Sequence, residues 1–184
     1  MLAMNRVSSI DMHQPLPGWS RRTLPAEPLA PRQETHVTHT TAPVRLTQVH
    51  DYQFDANFGD HHAPLRIDEP VPLGQGEGPA PLQLLASAVG GCLSASLLFA
   101  LRKFNQLPDP LGCEVQAEVG RNAEGRLRVL SMSATLTLGV PADTLDHLDR
   151  VLATFEDYCT VTESIRQGFP VHVSLFDSHG AQLK

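Results

Sequence analysis

Two stretches in the first third of the chain alternate apolar and polar positions. Val44-Arg45-Leu46-Thr47-Gln48-Val49 and Tyr52-Gln53-Phe54-Asp55-Ala56-Asn57-Phe58 have the period of half-buried strands, and Leu65-Arg66-Ile67 reads as a short third strand. The run from Pro70 to Pro81, rich in Gly and Pro, is predicted to be a loop. A charge-free stretch, Leu82 to Leu101, follows and predicts a helix over 82–105, with Arg102 and Lys103 complementing its dipole. Residues 113–119 and 126–138 predict a hairpin closing on Gly125. Pro141 opens a second predicted helix in which Leu145, Leu148, Leu152, Phe155, Cys159 and Thr162 recur at spacings of three and four, ending at Gly168 and Pro170. Val171-His172-Val173-Ser174-Leu175 supplies a last strand. The order βββ–α–ββ–α–β predicts an α+β fold.

The first 43 residues break this regularity. They hold six of the fifteen prolines and no sustained apolar period, so residues 1–43 are expected to form a flexible tail and residues 44–184 the folded domain. Met4 and Met12 leave the start codon open. No basic run precedes an apolar segment here, so a secretory signal is not expected, and a cytoplasmic protein is. A length of 184 residues with 41% hydrophobic residues allows one domain with a sizeable core. The formal charge of −6 argues against nucleic acid or an anionic membrane as partner. The charge-free segment is long enough to span a bilayer. However, Gln83, Ser87, Gly90 and Ser94 share a narrow arc and no second span hides it, so a helix buried in a soluble protein or an oligomer interface is predicted.

Three cysteines, Cys92, Cys113 and Cys159, exclude a disulfide framework. Read alone, each fits a small buried hydrophobe, since free cysteine is among the most buried residue types. On the helical wheel Cys92 points opposite the Gln83 stripe, while Cys159 falls on the apolar stripe of the second predicted helix. Asp60-His61-His62 and His36-Val37-Thr38-His39 sit in turns or tail without cysteine partners and are read as ordinary polar residues, so no metal is expected. Gly74-Gln75-Gly76-Glu77-Gly78 has no following Lys-Ser/Thr and carries a repelling Glu77, which argues against a phosphate loop. Glu163 and Arg166 are spaced for an i,i+3 pair, with Glu163 also a candidate pocket residue one turn beyond Cys159. Asp68-Glu69 is expected to shape the loop before the first helix.

Pro79-Ala80-Pro81-Leu82-Gln83-Leu84-Leu85-Ala86-Ser87-Ala88-Val89-Gly90-Gly91-Cys92 resembles the signature of the OsmC/Ohr family, named for osmotic induction and organic hydroperoxide resistance. Phe155-Glu156-Asp157-Tyr158-Cys159-Thr160-Val161-Thr162 is similar to the family's second cysteine segment, and Leu65-Arg66-Ile67-Asp68-Glu69-Pro70 with Gly74 and Gly76 resembles its approach to the first helix. The resemblance covers residues 44–178. It implies a curved antiparallel sheet with two long central helices, an intertwined homodimer, and a thiol peroxidase in which Cys92 attacks organic hydroperoxides and Cys159 resolves the sulfenic acid as a disulfide. It implies no cofactor beyond an external dithiol reductant of lipoyl or thioredoxin type. The family's thiolate-stabilising Arg has only Arg66 and Arg45 as candidates here, and its Glu, ten residues before the reactive cysteine, is replaced by Leu82, with Gln83 next as a candidate pocket residue. That departure keeps a second reading open, an OsmC-like small-molecule-binding or stress-related scaffold protein without turnover.

Overall fold

The computed structural model describes residues 40–184; the greater part of the proposed 1–43 tail, and with it His36 and His39, lies outside the described residues. Three strands come first: β1 (Arg45–His50), β2 (Gln53–Asn57) and β3 (Leu65–Ile67), an antiparallel sheet in the order β1-β2-β3. Helix α1 (Pro81–Arg102) follows, then β4 (Gly112–Arg121), β5 (Leu127–Thr137) and, near the end, β6 (Val171–Phe176). The second sheet has the order β4-β5-β6, antiparallel between β4 and β5 but parallel between β5 and β6. The fold is therefore α+β with two small sheets, not one wholly antiparallel sheet.

Helix α1 begins where Pro81 occupies the first turn and Gln83 Oε1 accepts the Ala80 N–H at 2.8 Å. Its Val89, Leu93, Leu97 and Leu101, four residues apart, form one fully buried stripe. They meet Met132, Ala134, Leu136 and Leu138, alternate positions along and just past β5, together with Val171 and Leu175 of β6. Leu145, Val151, Phe155 and Cys159 complete the core from the segment between the strands. By length and composition alone α1 could cross a membrane, yet this stripe is sealed in protein.

The second predicted helix is not continuous. The chain from Pro141 to Gly168 breaks into a single 3-10 turn at Ala142–Thr144, helix α2 (Leu148–Leu152), a second 3-10 turn at Glu156–Tyr158, and helix α3 (Thr160–Ile165). His147 takes a left-handed conformation with φ 59°, and Cys159 is extended at φ −84°, ψ 91°. Apolar spacings of three and four persist because successive short turns wrap the same face of α1, so the period was read correctly and the continuity was not.

The loop between β3 and α1 folds around one carboxylate. Asp68 is 1% exposed; its Oδ2 accepts the Gln75 and Glu77 N–H groups at 3.0 and 3.1 Å and the Gln53 amide at 3.2 Å. Burial works against the ionised form, but those donors outweigh it and hold the carboxyl below its usual range. The glycine-rich run thus spends its N–H groups on the chain's own carboxylate. A Cβ at Gly74 would lie 2.1 Å from the Glu69 carbonyl oxygen and 2.2 Å from Asp68 Oδ1, whereas one at Gly76 (φ 72°) would meet open space. Gly76→Ala is expected to cost about 1–2 kcal/mol, the left-handed penalty alone, and Gly74→Ala clearly more; equilibrium urea unfolding of both variants checks the order.

Candidate functional site

Cys92 lies midway along α1, half-buried, and Cys159 is fully buried at the start of α3. The short turns of the 145–165 segment press Cys159 against α1, close enough to Cys92 for its thiol to act on the ionisation of Cys92. Cys159 Sγ donates to the buried Thr162 Oγ1 at 3.0 Å. Burial pushes the Cys92 thiol above its ordinary pKa, and the neighbouring Cys159 thiol adds to the rise. The Val161 and Thr162 N–H groups act the other way without overcoming it. No charged side chain is among the groups that set this balance.

Neither candidate arginine reaches the thiols within this chain. Arg66 Nε is 2.7 Å from Asp55 Oδ1, and its Nη1 is 3.3 Å from Gln53 Oε1 and 3.9 Å from Glu77 Oε2. Arg45 opens the exposed strand β1. Gln83 caps α1 and lines an open cavity of about 460 Å³ with Ser87, Gly90, Ser94, Cys113 and Val115, on the side of α1 away from Cys92. There α1 comes so close to β4 that a Cβ at Gly90 would stand 2.9 Å from Val115 Cγ2. Cys113 is exposed in this cavity, where burial raises its thiol pKa and a bond with Ser94 partly offsets the rise. The structure therefore brings Cys92 and Cys159 together and leaves Cys113 apart.

Glu163 forms the expected pair, its Oε1 2.5 Å from Arg166 Nη1. Glu156, unremarked in the sequence, shares that guanidinium and also holds Lys184, whose Nζ is 2.5 Å from Glu156 Oε1. The only signal in the sequence was a carboxylate three residues before Cys159 and an arginine seven after it; nothing pointed to Lys184. A groove of about 150 Å³, lined by neither Cys92 nor Cys159, runs between Ser96, Phe99, Lys103 and Phe104 of the α1 end and Arg150, Thr154 and Tyr158. Lys103 Nζ lies 4.6 Å from the Phe99 ring centroid and 5.5 Å from that of Tyr158. His61 and His62 are exposed, and no cluster of three metal-ligating side chains occurs among the described residues.

A family model described as OsmC-like protein matches residues 74–174, more than half of the chain and the whole span from the Asp68 loop to β6. The chain belongs to the OsmC-like family. Solved structures share the fold of this OsmC-like protein at low identity. An OsmC-like protein of unknown function from Vibrio cholerae is 15% identical with a TM-score of 0.63, over 75% of this chain and 100% of that one. The organic hydroperoxide resistance protein OhrB of Bacillus subtilis is 17% identical with a TM-score of 0.58, over 74% and 98%. The organic hydroperoxide resistance protein OsmC of Legionella pneumophila is 15% identical with a TM-score of 0.58, over 76% and 98%. No curated protein matches the sequence significantly.

A raised pKa keeps Cys92 protonated at neutral pH. In a Cys113→Ser protein, the rate of Cys92 alkylation by iodoacetamide is expected to keep climbing beyond pH ~8.5, where an ordinary thiol levels off. Mass spectrometry of the alkylated peptide across pH 6–10 checks this; a plateau near pH 7 would mean that a cation from outside the described residues acts on the thiol.

Proposed function

We propose that this OsmC-like protein is a cytoplasmic thiol-dependent peroxidase that reduces organic hydroperoxides. The closeness of the Cys92 and Cys159 thiols is the observation that carries the reading. Cys92, as thiolate, attacks the outer oxygen of ROOH; the O–O bond breaks, ROH leaves with a proton, and Cys92 becomes a sulfenic acid. The Cys159 thiol then displaces water from that sulfenic acid and forms the disulfide. An external dithiol of lipoyl or thioredoxin type returns both thiols, and the cycle draws on no metal, haem or flavin. Phe99, Phe104 and Tyr158, the last next to Cys159 in sequence, give a groove apolar surface beside Lys103 and Arg150, which supports an organic substrate over hydrogen peroxide.

The assembly belongs to the same reading. The main core cluster holds no side chain from β1, β2 or β3, although Ala56 and Ile67 are buried apart from it, and every residue of β1 is exposed, Leu46 and Val49 among them. Phe99 on α1 and Leu127 on β5 are each 60% exposed. Apolar surface of this extent supports a homodimer in which the first sheet is covered by a second copy. Such a dimer is expected to sediment at twice the chain mass, and Leu46→Glu to shift it toward monomer.

The protonated state of Cys92, with no guanidinium acting on it among the described residues, favours one alternative: an OsmC-like binding or scaffold protein that keeps the thiol pair without turnover. Thiol counts and intact mass after one equivalent of an organic hydroperoxide separate the two. Peroxidase activity is expected to remove two thiols from the wild-type protein and to leave a trapped sulfenic acid in Cys159→Ser, with Cys92→Ser inert. Three thiols persisting in the wild type would favour the binding protein.

A further inference from the structure

We propose that Arg166, gripped by Glu156 and Glu163, is a positioning clamp that holds Cys159 in bonding reach of Cys92; the idea rests on the thiol-pair reading above. Cys159 is an extended residue between a 3-10 turn and a six-residue helix, so regular secondary structure alone does not fix it. Its N–H donates to the Glu156 carbonyl at 2.8 Å, and its own carbonyl accepts the Glu163 N–H at 3.0 Å. The side chains of those same two residues converge on one guanidinium. Glu163 Oε1 takes Nη1 at 2.5 Å, and Glu156 Oε2 takes Nη2. Arg166 also donates to the Val171 carbonyl, from Nη2 at 3.2 Å and Nε at 3.4 Å, which ties the clamp to the first residue of β6.

Lys184 closes the remaining side, its Nζ lying 2.5 Å from Glu156 Oε1 and 2.9 Å from the Leu152 carbonyl. Two carboxylates thus meet two cations around a residue, Glu156, that is only 7% exposed. Burial pushes the Glu156 carboxyl up, but Lys184 and Arg166 together hold it below the usual carboxylate range, so the clamp is charged at neutral pH. The four charged groups bond to one another and to the Leu152 and Val171 carbonyls, which gives the clamp a positioning role. What it controls is where the Cys159 backbone stands, and disulfide closure tolerates only Cα separations of about 4.4–6.8 Å.

The test uses the full chain in a Cys113→Ser background. Equilibration with glutathione, in which one oxidised glutathione takes two electrons and two protons from the pair and leaves two reduced glutathiones, gives the effective concentration of one thiol at the other. Arg166→Gln is expected to lower it at least tenfold, Glu163→Gln about threefold, and Arg166→Lys to recover part of the loss. With an organic hydroperoxide, Arg166→Gln should leave the rate of Cys92 oxidation unchanged and slow disappearance of the sulfenic acid by a similar factor. Val173→Ala, on β6 and away from the clamp, is the control for lost stability and should leave the effective concentration unchanged.

An Arg166→Gln value within twofold of the parent would overturn the clamp, as would an equal fall in Val173→Ala. Should Arg166→Gln not fold, an unchanged Glu163→Gln value would overturn it. A parent that never forms the disulfide in oxidised glutathione would overturn the clamp and the thiol-pair reading together. A fall seen with glutathione in a protein that hydroperoxide does not oxidise would support the clamp while removing the peroxidase.

Discussion

Burial of the Val89, Leu93, Leu97 and Leu101 stripe against β5 and β6 is the constraint on which the rest of the structure depends. Because the four residues repeat every fourth position, they fix the rotation of α1 about its axis and with it the direction of every other side chain on the helix. Cys92 is thereby set on the seam with the 145–165 segment, while Gln83, Ser87 and Ser94 are turned to the cavity beside β4. The segment across the seam needs no long helix to do its part. Short turns that bury Val151 and Phe155 suffice to bring Cys159 to the same place.

Electrostatics divides this protein into regions with separate tasks. Arg66 is held by Asp55, Gln53 and Glu77 near the Asp68 loop, and Arg166 and Lys184 serve Glu156. In each case a cation answers a carboxylate that burial would otherwise neutralise or that anchors a loop. The thiol pair sits among neutral partners instead, a second thiol, a hydroxyl and two backbone N–H groups. Such surroundings favour the protonated thiol, so the proposed attack on a peroxide would draw on the small ionised fraction of Cys92.

Most of the architecture was legible from periodicity. Strands at 45–50, 53–57 and 65–67, the long helix, the hairpin and the last strand all appear within a few residues of their expected places. The broken second helix was not legible, because spacings of three and four describe which side chains face the core and not whether the backbone between them is continuous. Parallel pairing of β6 with β5 was likewise invisible, since it depends on where the 33-residue excursion over 138–170 returns. Among the candidate residues, those joined by short-range spacing, such as Glu163 with Arg166, were readable. The approach of Lys184 to Glu156, and the commitment of Arg66 to Asp55, depend on tertiary placement that no local pattern encodes.

The absence of β1, β2 and β3 side chains from the main core has an evolutionary corollary. Residues that share no partners contribute nearly independently to stability. Substitutions in the first sheet and substitutions along the thiol seam should therefore show little epistasis within a single chain. Lineages could remodel the face offered by Leu46 and Val49 while the cysteine pair drifts under its own, separate selection.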